Sequence, residues 1–186
     1  MQMHQFKRTA VGMALVAAAL AAGTAHADVV TLNLGGISSN GELGDASNET
    51  RSLTLLPGVR ITNISWSVSL TADAPSWLSE IGVDLNNGAL AGVSLFPGIG
   101  DDFSGSGSYV GSADLIALGV DFYLGASGVL SFEFFEFFDD TVGGADGFWN
   151  RGSFLQVSYV PEPASYGLAA IALLGAGLAT RRRKSS

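Results

Sequence analysis

The stretch that decides the fold is Ile64 to Leu70, which reads ISWSVSL. Its four large apolar residues alternate with three serines, and this period of two is typical of a β-strand with one buried face. No segment of residues 28–160 shows convincing helical spacing, so the sequence predicts an all-β domain. The same alternation recurs at Ile81, Val83 and Leu85, at Ile116, Leu118, Val120, Phe122 and Leu124, and at Leu155, Val157 and Tyr159.

Clusters of small and polar residues separate the predicted strands. Short strands punctuated in this way predict an antiparallel β-sandwich. Two apolar runs change phase midway, from Ile61 to Ile64 and from Phe134 to Phe135, which predicts a β-bulge at each point. The clusters are Gly35-Gly36, Ser39-Asn40-Gly41, Asn86-Asn87-Gly88, Gly100-Asp101-Asp102, Gly105-Ser106-Gly107 and Gly143-Gly144-Ala145-Asp146-Gly147.

The most hydrophobic predicted strand is Phe132 to Phe138, which reads FEFFEFF. We expect its phenylalanines to fill the core, and Glu133 and Glu136 to be charged gatekeepers that oppose aggregation of the strand. An alternative is that the two glutamates form the carboxylate pair of a glycoside hydrolase, which needs two acids about 5–10 Å apart.

The first 27 residues have the pattern of a secretory signal peptide. Lys7 and Arg8 precede an apolar segment from Ala10 to Ala22, and the small residues Ala25 and Ala27 mark a cleavage site. We therefore expect export across the inner membrane, with residues 1–27 removed by signal peptidase. The β-sandwich domain would then be residues 28–160.

Residues 161–186 contain three features in order: Pro161-Glu162-Pro163, an uncharged run over 164–180, and a basic tail. As a helix, this run would be roughly 25 Å long, just enough to span a bilayer core. The sequence predicts a single transmembrane helix over 164–180, with the prolines limiting its upstream extension and the tail held in the cytoplasm. The tail is Arg181, Arg182, Arg183 and Lys184.

The order of Pro161-Glu162-Pro163, a short apolar helix and an Arg cluster resembles the PEP-CTERM sorting signal. The resemblance implies a Gram-negative bacterium with an exosortase, a membrane cysteine protease that processes proteins at this signal. It also implies a frequent link to exopolysaccharide or biofilm formation, but nothing about the domain that is delivered. The alternative is a plain C-terminal tail anchor, which would not require the tripeptide.

Charge and composition exclude several kinds of function. All 17 acidic residues lie between Asp28 and Glu162, where only three arginines are basic, so this region has a net charge of −14 and repels nucleic acid. Residues 28–160 contain no His, Lys or Cys. This absence excludes Ser-His-Asp and Cys-His nucleophiles, Schiff-base lysines, His-ligated metals and stabilisation by disulfides. We expect that the domain is not an enzyme.

The segment from Gly128 to Tyr159 contains a strand, an acidic glycine-rich loop, Phe148-Trp149 and a final strand. This order is similar to the closing hairpin of the P-domain of proprotein convertases and related galactose-binding-like jelly rolls. The resemblance implies a jelly-roll form of the β-sandwich.

Two weaker patterns indicate ligands. Asp139, Asp140 and Asp146 lie in one predicted loop, where hard oxygen ligands on a glycine-bent backbone would suit calcium; the alternative is ordinary solvated turn acids. Trp77 and Trp149 lie in turn-rich surroundings and are candidates to stack on sugar rings, whereas we expect Trp66 to be buried.

These features together predict an exported structural or adhesive component of the cell envelope, cell surface or extracellular matrix. One alternative is a carbohydrate-binding module that retains the protein in exopolysaccharide. A further alternative is a carboxylate-dependent glycoside hydrolase. Aromatic side chains exposed on one face would favour binding, whereas two close carboxylates in a cleft would favour hydrolysis.

Overall fold

The computed structural model describes residues 26–89, 91–141 and 143–161, and Ala27–Pro161 form one compact unit. These residues form strands that pair antiparallel throughout, together with one short helix. The strands are β1 (Asp28–Asn33), β2 (Ile37–Ser39), β3 (Glu49–Thr54), β4 (Arg60–Ala72), β5 (Ile81–Asn86), β6 (Gly92–Leu95), β7 (Gly105–Asp114), β8 (Phe122–Tyr123), β9 (Val129–Glu136), β10 (Gly147–Trp149) and β11 (Phe154–Val160), and the helix is α1 (Leu115–Leu118).

Strand β4, which contains the ISWSVSL stretch, is the centre of the first sheet. Along one side it pairs with β11 and then with β10, and along the other side with β7 and β8. Strands β1 and β2 extend the sheet beyond β11 and β10. The alternation of apolar residues and serines therefore corresponds to a central strand of 13 residues.

The second sheet has the order β3-β9-β5-β6. Three pairs of strands in the first sheet lie end to end: β1 with β2, β7 with β8, and β10 with β11. When each pair counts as one row, the chain forms eight rows, ordered 1-8-3-6 in the first sheet and 2-7-4-5 in the second. The predicted all-β architecture with antiparallel sheets is confirmed.

The core lies between the two sheets. Phe134 of β9 meets Trp149 of β10 edge to face, with ring centroids 5.5 Å apart, so the contact joins one sheet to the other. The largest fully buried side chains come from both sheets, and they include Phe132, Phe134, Ile61, Ile64, Leu70, Ile81, Leu85 and Leu130.

One of the two predicted bulges is present. The pairing of β4 with β11 shifts register where Asn63 faces Ser158 and Ile61 faces Tyr159, so Thr62 is the extra residue. The bulge predicted between Phe134 and Phe135 is wrong, because β9 keeps regular register with β5 through Glu136. Phe135 is buried on the outer face of its sheet instead.

The strand predicted from Ile116 to Leu124 is also wrong in its first half, where helix α1 forms. The side chain of Asp114 caps the helix by accepting hydrogen bonds from the N–H groups of Ile116 and Ala117, and Gly119 ends it with φ of 71°. The caps favour a helical turn over the alternating pattern. Only Phe122 and Tyr123 form a strand, β8.

A third difference is β7, whose start at Gly105-Ser106-Gly107 was expected to be a turn. Glycine weakens a strand unless a neighbouring side chain packs over the glycine. Here the ring of Tyr109 covers Gly107, and the ring of Trp66 covers Gly111, at positions where a Cβ would overlap the ring. The two glycines therefore make room for aromatic packing on an edge strand.

No helix among the described residues is long and apolar enough to cross a membrane. The predicted transmembrane helix over 164–180 and the basic tail lie outside these residues, as do residues 1–25 of the predicted signal peptide. Of Pro161-Glu162-Pro163, the described residues include Pro161 alone.

Candidate binding surface and buried carboxylates

A group of exposed aromatic side chains begins at a glycine in the second sheet. Gly82 of β5 lies opposite Phe135 of β9, and a Cβ on Gly82 would come within 2.7 Å of the Phe96 ring and 2.9 Å of the Phe135 ring. These two rings pack edge to face, with centroids 5.4 Å apart. The absent side chain therefore allows the rings of two phenylalanines to pack edge to face on the outer face of the sheet.

The aromatic side chains continue outwards from Phe96. Phe137 packs against Phe96 with centroids 6.0 Å apart, and Phe138 packs against Phe137 at 4.8 Å, both edge to face. More than half of the surface of Phe137 and of Phe138 is exposed, whereas sequence reasoning placed both in the core. Phe137 and Phe138 follow the last residue of β9, so no strand holds them against the core.

A cleft of about 290 Å³ lies among these rings and the turns that face them. We use the term aromatic patch for its apolar lining, which consists of Trp77, Phe96, Ile99, Phe137 and Phe138. The polar groups at the same cleft are Ser79, Glu80 and Asp102.

The two candidate tryptophans have different environments. Trp77 lies in the connection from β4 to β5, in the aromatic patch, with 43% of its surface exposed. Trp149 is completely buried, and its Nε1 donates to Ser39 Oγ at 3.3 Å. The proposal that Trp149 stacks on an external sugar is therefore wrong, because its ring packs against Phe134 in the core. Trp66 is partly buried against the core.

Glu133 and Glu136 lie three positions apart on β9, and strand geometry puts them on opposite faces. Glu133 is on the outer face, where its Oε1 accepts hydrogen bonds from the N–H of Gly44 and from Asn48 Nδ2. Glu136 points between the sheets and has no exposed surface. The two carboxylates do not form the pair that a glycoside hydrolase needs, and Glu136 is not a surface gatekeeper.

Glu136 is held by a hydroxyl group that also contacts a second acid. Ser76 Oγ lies 2.8 Å from Glu136 Oε2 and 3.1 Å from Glu80 Oε2. Glu80 Oε2 also accepts from the N–H of Trp77 at 2.8 Å. A serine hydroxyl has a single proton to donate. Only one of the two carboxylates can receive it, so two ionised carboxylates would repel each other across this hydroxyl group.

Burial is the main cause of the unusually high pKa of Glu136. It raises the pKa of Glu136 to about 8, against the opposing effect of the hydrogen bond from Ser76. The negative charges of Asp146, Glu80 and Asp140 raise the pKa further. Sequence reasoning treated Glu136 as a surface residue, although its three-residue offset from Glu133 is a signal that one of the two faces inward.

The three predicted calcium ligands lie in the connection from β9 to β10. Asp146 has 1% of its surface exposed and directly precedes β10. Burial raises the pKa of its carboxyl group, the nearby Thr141 side chain lowers it, and the negative charges of Asp139 and Asp140 raise it. Neither carboxylate oxygen of Asp146 has a hydrogen-bond partner among the described residues, nor has Oδ1 of Asp139. The described residues contain no ready-formed group of three or more acidic or histidine side chains around a metal position.

In the other acidic loop, one carboxylate oxygen of each acid accepts a hydrogen bond from a side-chain hydroxyl group. Asp101 Oδ2 accepts from the hydroxyl of Tyr109 at 2.7 Å, and Asp102 Oδ1 accepts from Ser79 Oγ at 2.8 Å. This loop is therefore held by neutral hydroxyl donors. The contrast separates two acidic loops that look equivalent in the sequence.

Comparison with known proteins assigns the C-terminal segment. Residues 160–184 match the PEP-CTERM protein-sorting motif. The chain thus carries the predicted sorting signal, and this motif implies an exported protein that exosortase sorts to the cell surface or envelope.

The chain is distantly similar to solved structures. One is dimeric latent PorU from Porphyromonas gingivalis, with 12% identity and a TM-score of 0.36, covering 73% of this chain and 13% of that one. Another is the infectious bursal disease virus VP2 subviral particle, with 12% identity and a TM-score of 0.32, covering 74% of this chain and 33% of that one. No curated protein sequence matches the chain.

Proposed function

We propose that this protein is an adhesive surface component whose β domain contacts extracellular polysaccharide through the aromatic patch. The observation that carries the proposal is the exposure of Trp77, Ile99, Phe137 and Phe138 around one cleft. Large apolar side chains grouped on the surface of a soluble domain are typical of binding sites. Export to the cell surface or envelope supports the proposal, because it would expose the patch to extracellular polymers.

The fold supports a role as a rigid display module. The row orders 1-8-3-6 and 2-7-4-5 correspond to two interlocked Greek keys, and we infer a jelly-roll sandwich from them. In this arrangement the aromatic patch is built by the end of β9 and by the connections that leave β4 and β6. A domain without disulfides is stabilised by the core between the sheets, which leaves the connections free to carry the contact surface.

A carbohydrate-binding module is the more specific form of the same proposal. Trp77 offers a ring face for stacking, and Glu80 and Asp102 provide acceptors for sugar hydroxyl groups at the same cleft. Both carboxylates also accept hydrogen bonds from the protein, which fixes their positions before a ligand arrives. The patch is thus suited to a polymer that presents apolar ring faces together with hydroxyl groups.

We infer that the domain is not an enzyme. The absence of His, Lys and Cys from residues 28–160 supports this view, as does the separation of Glu133 from Glu136 by the sheet itself. A glycoside hydrolase would have to use other acids. On the outer face, Asp84 lies opposite Glu133 in the register of β5 and β9, but each carboxylate is already engaged by two protein donors.

The proposal is tested by co-sedimentation of the exported protein with exopolysaccharide from the producing cells. We expect the substitutions Trp77→Ala and Phe137→Ala to lower the apparent affinity at least about fivefold each, since central aromatic contacts dominate binding energy. Tyr123→Ala is the matched control, because Tyr123 is half exposed but does not line the cleft. Equal binding by all three variants and the wild type would refute the aromatic patch as the contact surface.

A further inference from the structure

Four buried carboxylate oxygens without a hydrogen-bond partner lie in one region of the described residues. They are Glu136 Oε1, Asp139 Oδ1 and both oxygens of Asp146. Together they are four of the six buried side-chain N and O atoms without a partner that these residues contain. Buried polar atoms are normally paired, so this concentration indicates that something is bound there.

The two most buried acids are fixed by strand structure. Glu136 ends β9 directly opposite Ile81 of β5. Its Oε1 lies where a Cβ on Gly147 would be, so the carboxylate reaches the backbone directly after Asp146. The carbonyl of Asp146 accepts from the N–H of Asp73 at 2.8 Å, which holds this backbone to the end of β4. Glu136 and Asp146 are therefore neighbours that cannot easily move apart.

Protonation alone does not satisfy this arrangement. A proton on Glu136 would settle the contact with Ser76, because a carboxyl group could then donate to the hydroxyl while Ser76 donates to Glu80. It would leave Asp146 without a partner for either oxygen. A hard cation contacts several carboxylate oxygens at once and compensates the charge of all of them.

We propose that Glu136 and Asp146 bind one Ca²⁺ ion, with Asp139 and Asp140 of the β9–β10 connection contributing further oxygen ligands. Calcium accepts six to eight oxygen ligands in flexible geometry, whereas Mg²⁺ demands a near-ideal octahedron. Two acids fixed by strands and two from a glycine-rich connection match the flexible requirement better. No group of three acids is ready-formed among the described residues, so backbone carbonyl groups and water would complete the coordination.

The test uses the full chain in detergent, freed of metal by a chelator, with Ca²⁺ or Mg²⁺ added at constant ionic strength. Extracellular calcium modules have Kd values of about 10⁻⁴–10⁻³ M, so about 10 mM Ca²⁺ should raise the melting temperature by about 5 °C. Terbium should give an independent signal, because the buried indole of Trp149 lies three residues from Asp146 and can sensitise its emission.

Two variants and a matched control decide the assignment. Asp146→Asn and Glu136→Gln should each lose most of the calcium shift and of the terbium emission. Without metal they should melt at or above the wild-type temperature, because each replaces a buried acid by a neutral amide of nearly the same shape. The control Asp102→Asn should keep the full response, since Asp102 lies in the loop engaged by Ser79.

Three results would overturn the proposal: no calcium shift in the wild type, an equal shift with Mg²⁺, or an undiminished shift in both Asp146→Asn and Glu136→Gln. If one variant does not fold, the other still decides. Loss of polysaccharide binding in Trp77→Ala would not affect the outcome, because Trp77 is not one of the proposed ligands.

Discussion

At the scale of single residues, Gly147 and Glu136 define the most unusual feature of the domain. A side chain at position 147 would overlap the carboxylate of Glu136, so the glycine allows an acid to lie between the sheets. Glu136 then accepts a hydrogen bond from Ser76, and the proposed Ca²⁺ ion would compensate the charges of Glu136 and Asp146. An ordinary core position thereby becomes a candidate ligand position.

The alkaline stability of the domain should depend on Tyr109. Burial, followed by the hydrogen bond to Asp101, raises the pKa of Tyr109 to about 12 from 10.0. The folded state therefore holds this proton more tightly than the unfolded chain does. The resulting stabilisation is complete below pH 10 and is lost as the pH rises to about 12. Residues 28–160 contain no lysine, so tyrosine and arginine are the residue types there whose ordinary pKa values lie near this range.

Denaturant unfolding between about pH 9 and pH 12 checks this prediction. Tyr109→Phe should be less stable than the wild type at pH 9 and should lose less stability by pH 12. Tyr123→Phe is the control and should follow the wild-type profile, because its side chain is half exposed. Parallel profiles for Tyr109→Phe and the wild type would contradict the assignment.

Part of the residue-scale picture could be predicted from the sequence. The grouping of Asp139, Asp140 and Asp146 in one connection follows from their spacing. The exposure of Trp77 follows from its turn-rich surroundings. The burial of Trp149 and the contact of Glu136 with Ser76 could not be predicted, because their partners come from segments distant in the chain. Local pattern carries no information about pairing across a sandwich.

At the scale of elements, β9 divides between core and surface. Phe134 is fully buried against Trp149, whereas Phe137 follows the strand and is mostly exposed. We expect Phe134→Ala to lower the free energy of unfolding by about 3–5 kcal/mol through lost burial and a cavity. Phe137→Ala should change it by less than about 1 kcal/mol, because the side chain is mostly in solvent.

Urea unfolding of the two variants measures this contrast. The pair is matched in chemistry and differs in burial. Similar losses in both variants would mean that Phe137 belongs to the core, as the sequence alone suggested, and would remove the main apolar member of the aromatic patch.

Element prediction succeeded where alternation was strong and uncontested. The run from Ile64 to Leu70 became the centre of β4, and the phase change before Ile64 became the bulge at Thr62. It failed at α1, where the caps Asp114 and Gly119 overrode an alternating pattern. It failed again at β7, because glycine and serine hide a strand whose packing comes from rings elsewhere.

At the scale of the whole molecule, the β domain and the sorting motif are different segments of the chain. The β domain has a packed core and a net negative charge, and it exposes the aromatic patch. The sorting motif at 160–184 decides where that surface is displayed. We therefore expect that a processing enzyme recognises the motif, and that the motif is more than a membrane anchor.

Intact mass of the protein extracted from the cell surface tests this claim most directly. Processing near Pro161-Glu162-Pro163 predicts a mature chain without Arg181, Arg182 and Arg183. A variant with both prolines changed to alanine keeps the hydrophobicity and flanking charge that a bilayer senses. It should therefore accumulate at full length in the inner membrane. Wild-type protein that still ends in Lys184-Ser185-Ser186, with the same mass and location as the variant, would contradict the account.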